Sequence, residues 1–112
     1  MRLVENLEEF NSTILSKKTC VIFCSLTFCQ PCKLLNSFFE ELIEKHKDDN
    51  DLEFFKIYFD NLDSHDEDDI KDRLNIQGKK YPIFILFKDN NVLCECDYNS
   101  HKDLPNMIEF LK

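Results

Sequence analysis

The chain contains no tryptophan and a single glycine, Gly78, among its 112 residues. With so little glycine, its turns must be built from Asn, Asp and Ser, which adopt left-handed backbone conformations less easily. The core must also use other large side chains, and eleven Phe with many Leu and Ile supply it. A chain of this length can bury roughly two-thirds of its unfolded surface, so we expect residues 1–112 to form a single domain.

Positive charge is also scarce. The chain carries 14 Lys and Arg against 22 Asp and Glu, which gives a formal net charge of -8. A nucleic-acid-binding domain would show the opposite balance, and an anionic membrane surface would repel this chain. We therefore expect neither nucleic acid nor membrane among its partners.

Long apolar runs are missing as well. The longest apolar segment is far too short to cross a bilayer, and the acidic first ten residues lack the apolar stretch of a signal peptide. Six cysteines are fewer than a disulfide-stapled secreted module of this size would carry. We therefore expect a cytoplasmic protein, in which reducing conditions keep most of the thiols free.

Apolar periodicity predicts an alternation of helices and strands. The predicted helices cover residues 4–16, 32–46 and 103–111, and the acidic stretch 60–72 is expected to contain a loop followed by a short helix that buries Ile70 and Leu74. The predicted strands cover residues 20–26, 52–59, 81–87 and 92–96, with a hairpin turn at 88–91. This order is typical of an α/β protein with a mixed sheet of four to five strands and helices on both faces.

The most informative motif is Cys29-Gln30-Pro31-Cys32, because of its position in the chain. It follows a buried strand and precedes a helix, so both thiols lie where backbone N–H groups and the helix dipole favour a thiolate. Pro31 fits the first helical turn, where no N–H is required. Gln30 is uncharged and leaves the stabilisation of the thiolate to the backbone. This placement predicts redox chemistry.

The two thiols are expected to differ in role. Cys29 should lie at the helix N-cap, partly exposed, with Lys33 nearby and a thiol pKa below the usual value of about 8.5. Cys32, one turn further, should be more buried. In thiol–disulfide exchange, Cys29 would attack a substrate disulfide and Cys32 would then release the substrate in reduced form. Apart from the reversible Cys29–Cys32 disulfide, we expect no cofactor.

A CxxC motif can instead be half of a metal site. Cys94 and Cys96 are a possible second pair, and His46, His65 and His101 are scattered candidates. However, Cys94 and Cys96 have one residue between them on one face of a strand, whereas zinc ligands are usually spaced by two to four residues. We therefore predict no metal site.

Three segments together resemble the thioredoxin family. Residues 28–33 are similar to its aromatic-Cys-Gly-Pro-Cys-Lys active site, and residues 81–88 to its cis-proline strand and the turn after it. Residues 54–60 resemble the strand between them. Because the segments occur in the family's order across essentially the whole chain, the resemblance is more specific than a CxxC motif alone.

The resemblance implies a thioredoxin-like fold and assigns roles by position. Cys29 becomes the attacking thiol and Cys32 the resolving thiol. Pro82 would follow a cis peptide bond and pack against the disulfide, and the backbone of Tyr81 would pair with an extended substrate. The implied substrate-binding residues are Phe28, Gln30, Pro31, Tyr81 and Pro82.

The resemblance also implies a function and partners. We expect a protein-disulfide reductase that acts as a monomer and is recycled by a thioredoxin reductase or by the glutathione system. One alternative is a divergent thioredoxin-fold binding or regulatory module with weak or no turnover. Another is an oxidase or isomerase of an oxidising compartment, which the absence of a signal sequence disfavours.

Some positions depart from the family pattern. Thioredoxins usually carry a buried Asp six residues before the first Cys, where this chain has Phe23. Lys56, which would pair with that Asp, is expected to lack its partner, and Cys32 should be harder to deprotonate. Tyr98 aligns with a position where the family has a small residue facing the groove. The segment 78–81 is about two residues longer than the corresponding segment of the family. We therefore expect an altered substrate range.

The other four cysteines are predicted to be non-catalytic. Cys20 and Cys24 belong to the buried strand, where free Cys is a common small core residue. Cys94 and Cys96 share one face of the edge strand and are expected to be partly exposed and open to oxidation. A disulfide between them would be strained.

Overall fold

The computed structural model describes residues 1–14 and 18–111, and its five strands form one mixed sheet. The strands are β1 (Arg2–Leu3), β2 (Thr19–Ser25), β3 (Leu52–Tyr58), β4 (Ile83–Lys88) and β5 (Asn91–Asp97). Their order across the sheet is β1-β3-β2-β4-β5. β3 is parallel to β1 and β2, whereas β4 is antiparallel to β2 and β5. The central position of β2 explains why both of its faces are apolar.

Helices cover both faces of this sheet. They are α1 (Leu7–Ile14), α2 (Gln30–Leu34), α3 (Asn36–Lys45), α4 (Ser64–Leu74) and α5 (Leu104–Phe110). One apolar layer contains side chains of α1 and α4, and the other contains side chains of α3 and α5. The predicted mixed α/β architecture is therefore confirmed, as is the burial of Ile70 and Leu74 in α4.

The N-terminal segment differs from the prediction. β1 was not predicted, because two residues are too few to show a periodic pattern. α1 begins at Leu7 rather than at residue 4, after Asn6, whose side chain accepts a hydrogen bond from the Glu9 N–H at 2.8 Å. Such a cap fixes the start of a helix more sharply than hydrophobic spacing does. The predicted end at residue 16 lies outside the described residues.

The predicted helix 32–46 starts earlier and is divided in two. α2 begins at Gln30 and ends before Leu35, whose N–H bonds to the Cys32 carbonyl at 3.2 Å. This bond spans three residues rather than four and tightens the last turn. α3 then runs from Asn36, so that the helix carrying the motif is short and separate.

Asn and Asp make the sharp turns, as the scarcity of glycine predicts. Asp89 and Asn90 have φ of 52° and 63° between β4 and β5, the two positive values of a type I′ hairpin. Asn75 ends α4 in the left-handed conformation, with φ of 59°. At the other end of α4, the Asp63 carboxylate accepts the Asp66 N–H at 2.8 Å.

The strand predicted at 81–87 begins two residues later, at Ile83. The preceding Tyr81–Pro82 peptide bond is cis, as the family resemblance implies. Pro82 has no N–H to donate to a ladder, and sheet pairing starts with Ile83, opposite Cys24 of β2 and Asp97 of β5. The cis peptide therefore lies next to the C-terminal end of β2, at the end of the strands.

Candidate active site

The two motif cysteines lie between the end of β2 and the start of α2. Cys29 is the N-cap of α2, with an extended backbone, and its Sγ accepts a hydrogen bond from the Cys32 N–H at 3.3 Å. The Cα atoms of Cys29 and Cys32 are 5.2 Å apart and their sulfurs form a disulfide. The structure therefore shows the oxidised form of the dithiol that the sequence predicts.

The two sulfurs differ in accessibility. Cys29 is half-buried, whereas Cys32 is only 1% exposed. The neighbouring Phe28 is 93% exposed, and Gln30 and Pro31 are exposed as well. A partner molecule can therefore approach Cys29 over an open surface, while Cys32 is shielded behind it.

A carboxylate that the sequence analysis did not single out holds the loop before Cys29. Asp60, which follows β3, accepts hydrogen bonds from the Thr27 N–H at 3.0 and 3.2 Å and from the Thr27 hydroxyl. The Thr27 hydroxyl is the main cause that lowers the pKa of Asp60, and the Thr27 N–H adds to it. Only the adjacency of β2 and β3 brings these residues together, and no local motif indicates it.

We expect the Thr27 amide resonance to titrate with Asp60, at a midpoint below the usual aspartate value of about 3.9. Because the folded-state pKa is lowered, this carboxylate stabilises the fold above its unfolded pKa. The stabilisation is lost as the pH falls through the folded value. NMR spectra recorded along an acid titration measure the midpoint, and Asp60→Asn should abolish this titration. A midpoint at or above 3.9 would contradict the assigned contact.

A groove beside the motif brings together three of the predicted substrate-binding residues. Pro31 lines it from α2, and Tyr81 and Pro82 line it from the cis peptide. Phe28 and Gln30 are not among its lining residues and lie on the exposed surface. The prediction thus names residues of two adjoining surfaces rather than of one pocket.

The far side of this groove differs from the family pattern. Tyr98 lines it at the position where the resemblance implies a small residue, and its side chain is 41% exposed. Lys79, from the long segment before Pro82, donates to both carboxylate oxygens of Glu95 at 2.8 and 2.9 Å. The groove is therefore bordered by an aromatic ring and an ion pair.

The Tyr81 side chain packs into the apolar layer of α1 and α4. Its ring stacks on Phe59 with 5.3 Å between centroids, and Lys71 Nζ lies 6.0 Å from the ring centre. Burial raises the pKa of the Tyr81 hydroxyl, which accordingly stays protonated. The ring thus anchors the loop that carries the cis peptide.

Position 23, where the resemblance implies a buried Asp, is filled by an aromatic ring. Phe23 is fully buried, stacked on Phe84 at 4.6 Å and edge-on to Phe39 at 5.1 Å between centroids. Lys56 Nζ lies 5.1 Å from the Phe23 ring centre and donates to Asn36 Oδ1 at 2.8 Å. Lys56 therefore lacks the carboxylate partner that the family pattern implies, as expected, and an amide oxygen and an aromatic face take the place of that carboxylate.

The remaining four cysteines are not disulfide-bonded and lie in two environments. Cys20 and Cys24 are fully buried in β2, as predicted, and burial raises the pKa of Cys24. On β5, Cys94 is half-buried but Cys96 is only 1% exposed. The expectation of partial exposure is therefore wrong for Cys96, because α5 covers it and brings Met107 Sδ within 3.6 Å of its Sγ.

One alternative role for the motif and for the scattered histidines is a metal site. Within residues 1–14 and 18–111, one group of His, Cys, Asp and Glu side chains is spaced to share an ion, namely Asp63, His65 and Asp66. Both carboxylates already accept backbone hydrogen bonds, Asp63 from Asp66 and Asp66 from Leu7. The hydrogen bonds of these carboxylates therefore explain the group without a metal ion: Asp63 caps α4, and Asp66 connects α4 to α1.

In the part of the chain that the structure describes, no helix combines the length and apolar character that a membrane span requires.

Comparisons with known proteins agree with this geometry. Residues 2–112 match the family model Thioredoxin. The chain is 30% identical over 109 residues to Thioredoxin AMT13 of Alternaria alternata, covering 96% of this chain and 84% of that protein. It is 28% identical over 111 residues to a thioredoxin of Ophiophagus hannah, with coverages of 97% and 96%. The solved structure of Malassezia sympodialis thioredoxin has a TM-score of 0.81 at 21% identity, over 98% of this chain and 89% of that one. The chain therefore belongs to the thioredoxin family, and its Cys29–Cys32 pair is the disulfide centre of a thiol–disulfide oxidoreductase.

Proposed function

We propose that this protein reduces disulfide bonds in other proteins, with Cys29 as the attacking thiol and Cys32 as the resolving thiol. The observation that carries the proposal is the asymmetry of the pair. Cys29 is accessible at the N-cap of α2, whereas Cys32 is 1% exposed and bonded to it from behind. The Cys32 N–H, which contacts Cys29 Sγ in the oxidised form, would stabilise a Cys29 thiolate in the reduced form.

The reaction starts from the reduced protein. The Cys29 thiolate attacks one sulfur of the substrate disulfide, forms a mixed disulfide and expels the other substrate sulfur as a thiolate. Cys32 loses its proton and attacks Cys29 Sγ, which breaks the mixed disulfide and releases the second substrate thiolate. The substrate gains two electrons and takes two protons from solvent, and the product is the Cys29–Cys32 disulfide of this structure.

Substrate binding is assigned to five residues around the disulfide. The backbone of Tyr81, beside the cis bond to Pro82, would add the substrate as a short extended strand along the groove. The exposed ring of Phe28 offers an apolar contact on the other side of Cys29. Gln30 and Pro31 complete the assigned set: Phe28, Gln30, Pro31, Tyr81 and Pro82.

The cellular setting follows from the same reasoning. We propose that residues 1–112 act as one domain, as a monomer and in the cytoplasm, and that a thioredoxin reductase or glutathione regenerates the dithiol. The acidic net charge of -8 supports protein partners over nucleic acid or anionic membranes. The chemistry needs no cofactor beyond the Cys29–Cys32 disulfide.

An insulin-reduction assay with a small dithiol as electron source tests this function. Wild type should accelerate the precipitation of the reduced insulin chains, and Cys29→Ser should fall to the rate of the dithiol alone. The matched control is Cys20→Ala, which removes a buried thiol far along β2 and should retain activity. If Cys29→Ser keeps activity, the assigned mechanism is wrong.

A second candidate is a binding or regulatory module with weak turnover. Phe23 favours it, because position 23 offers no proton acceptor to the resolving step. A folded wild type that binds oxidised substrate through the groove but does not accelerate insulin reduction would support this candidate over the reductase.

A further inference from the structure

A second cluster of sulfur atoms lies outside the active site, between β5 and α5. Cys94 and Cys96 are two residues apart on a strand, so their side chains project from the same face. Cys96 Sγ lies 3.6 Å from Met107 Sδ of α5, and Cys94 packs against the same buried layer as Met107. Two thiols and a thioether therefore lie together on the face of β5 that α5 covers.

The surroundings of this cluster are mostly apolar. Cys96 is opposite Phe84 and Cys94 is opposite Leu86 in the β4–β5 ladder, and Cys94 and Met107 pack against the same buried layer. Oxygen-binding ions such as Mg²⁺ and Ca²⁺ need several oxygen ligands, which these side chains do not provide.

The His101 ring, a possible nitrogen donor, is already engaged. His101 Nδ1 lies 2.7 Å from the Tyr98 carbonyl oxygen, and its ring packs edge-on against Phe38 at 4.9 Å between centroids. Within residues 1–14 and 18–111, neither Cys94 nor Cys96 belongs to a group of three His, Cys, Asp or Glu ligand atoms spaced to share an ion. The donors available at this place are therefore sulfur.

Acidic residues lie close to the cluster in the chain. Asp97 follows Cys96 on β5, and Asp103 directly precedes α5, the helix that carries Met107. A thiol that coordinates a metal is deprotonated, so a bound cation would offset the negative charge of the two sulfurs.

We propose that Cys94, Cys96 and Met107 form a binding site for a soft monovalent metal ion, Cu(I). Thiolate and thioether sulfur are the donors that Cu(I) prefers. Structural Zn²⁺ takes four Cys, His or carboxylate ligands, whereas this group offers two thiols and a thioether. On binding, both thiols release their protons to solvent and Met107 Sδ acts as a neutral third donor.

Access to the site is through Cys94. Its side chain is half-buried, whereas Cys96 lies behind it under α5. The site is separate from the reductase chemistry, because its sulfurs are on β5, and β4 lies between β5 and the β2 strand that leads to Cys29. The proposal therefore does not rest on the proposed function.

The test uses the full chain with the Cys29–Cys32 disulfide closed. Cu(I) is supplied anaerobically as its bicinchoninate complex, and the metal retained after gel filtration is counted. Wild type should retain one Cu(I) per chain, and X-ray absorption should show sulfur donors alone. The Cys29→Ser/Cys32→Ser variant should retain the same single ion, which separates this site from the active-site sulfurs.

Single substitutions then assign the donors. Cys94→Ser should lose the ion, and because Cys94 is half-buried this variant is expected to fold. Met107→Leu keeps the size of the side chain and should weaken Cu(I) affinity by about tenfold or more. The matched control is Cys20→Ala, which should retain the ion.

The proposal is overturned if oxidised wild type retains no Cu(I) or if Cys94→Ser, shown by circular dichroism to be folded, retains as much as wild type. Nitrogen or oxygen donors in the absorption spectrum would also overturn it. Loss of the ion in the Cys29→Ser/Cys32→Ser variant would assign the metal to the active site and count against the proposal.

Discussion

The Cys32→Ser variant should accumulate as a covalent adduct with its disulfide substrate. Cys29 would still attack the substrate, but a hydroxyl at position 32 cannot displace it from the mixed disulfide. Mass spectrometry of the reduced variant mixed with an oxidised protein substrate should show the sum of the two chains. Reduced wild type should show no lasting adduct, because Cys32 is held directly behind Cys29.

Two control variants identify which cysteine attacks the substrate. Cys29→Ser should form no adduct, since the remaining thiol at position 32 is 1% exposed. Cys94→Ser combined with Cys32→Ser should still form an adduct, which would show that the half-buried Cys94 thiol of β5 is not the attacking group. An adduct linked through Cys32 in the Cys29→Ser variant would reverse the assigned roles.

Phe23→Ala should lower the free energy of unfolding by about 3–5 kcal/mol, the range for removing a buried Phe side chain. Phe23 is fully buried between Phe84 and Phe39 in the layer beneath α3. Removing the Phe23 ring leaves a cavity and also removes the cation–π contact between this ring and Lys56 Nζ. Against a total stability of about 5–15 kcal/mol, the loss is large.

Urea unfolding followed by circular dichroism measures the change. Phe28→Ala is the matched control, because Phe28 is 93% exposed and its loss should change stability by no more than about 0.5 kcal/mol. Equal effects of the two substitutions would contradict the burial of Phe23. A Phe23→Ala effect below about 1 kcal/mol would show that the aromatic layer tolerates the cavity, contrary to the packing described.

The motif and its position could be predicted because each depends on local sequence. The apolar segment before Cys29 and the helical pattern after Cys32 place the pair at a strand-to-helix junction, and the structure confirms it. The cis bond before Pro82 could be predicted only through the family resemblance, because trans is the strong default for a proline seen in sequence alone.

Other features could not be predicted because they depend on tertiary contacts. Asp60 reaches Thr27 only when β2 and β3 lie side by side, and Asn36 reaches Lys56 only when α3 packs on the sheet. Sequence spacing correctly places Cys96 on the same strand face as Cys94. It does not show that α5 covers this face.

Phe23 replaces the buried Asp that thioredoxins usually carry at this position, so the proton transfer from Cys32 cannot be inferred from the family. The expectation that Cys32 is harder to deprotonate stays a prediction, because it concerns the reduced state. In the structure, the Lys56 ammonium group donates to the Asn36 side chain and lies over the Phe23 ring instead of pairing with a carboxylate. A phenyl ring at position 23 cannot accept the proton of the resolving thiol. Any slowing should therefore appear in the step in which Cys32 attacks the mixed disulfide.

The central claim is that Cys29 and Cys32 form a dithiol that exchanges electrons with other disulfides. Equilibrating the protein with thiol–disulfide buffers of graded potential, followed by alkylation and mass spectrometry, measures the reduction potential of this pair directly. We expect a reversible two-electron couple at about -270 mV, as for a reducing thioredoxin. A potential of about -120 to -180 mV would indicate an oxidant or isomerase instead. A pair that cannot be cycled at all would contradict the claim.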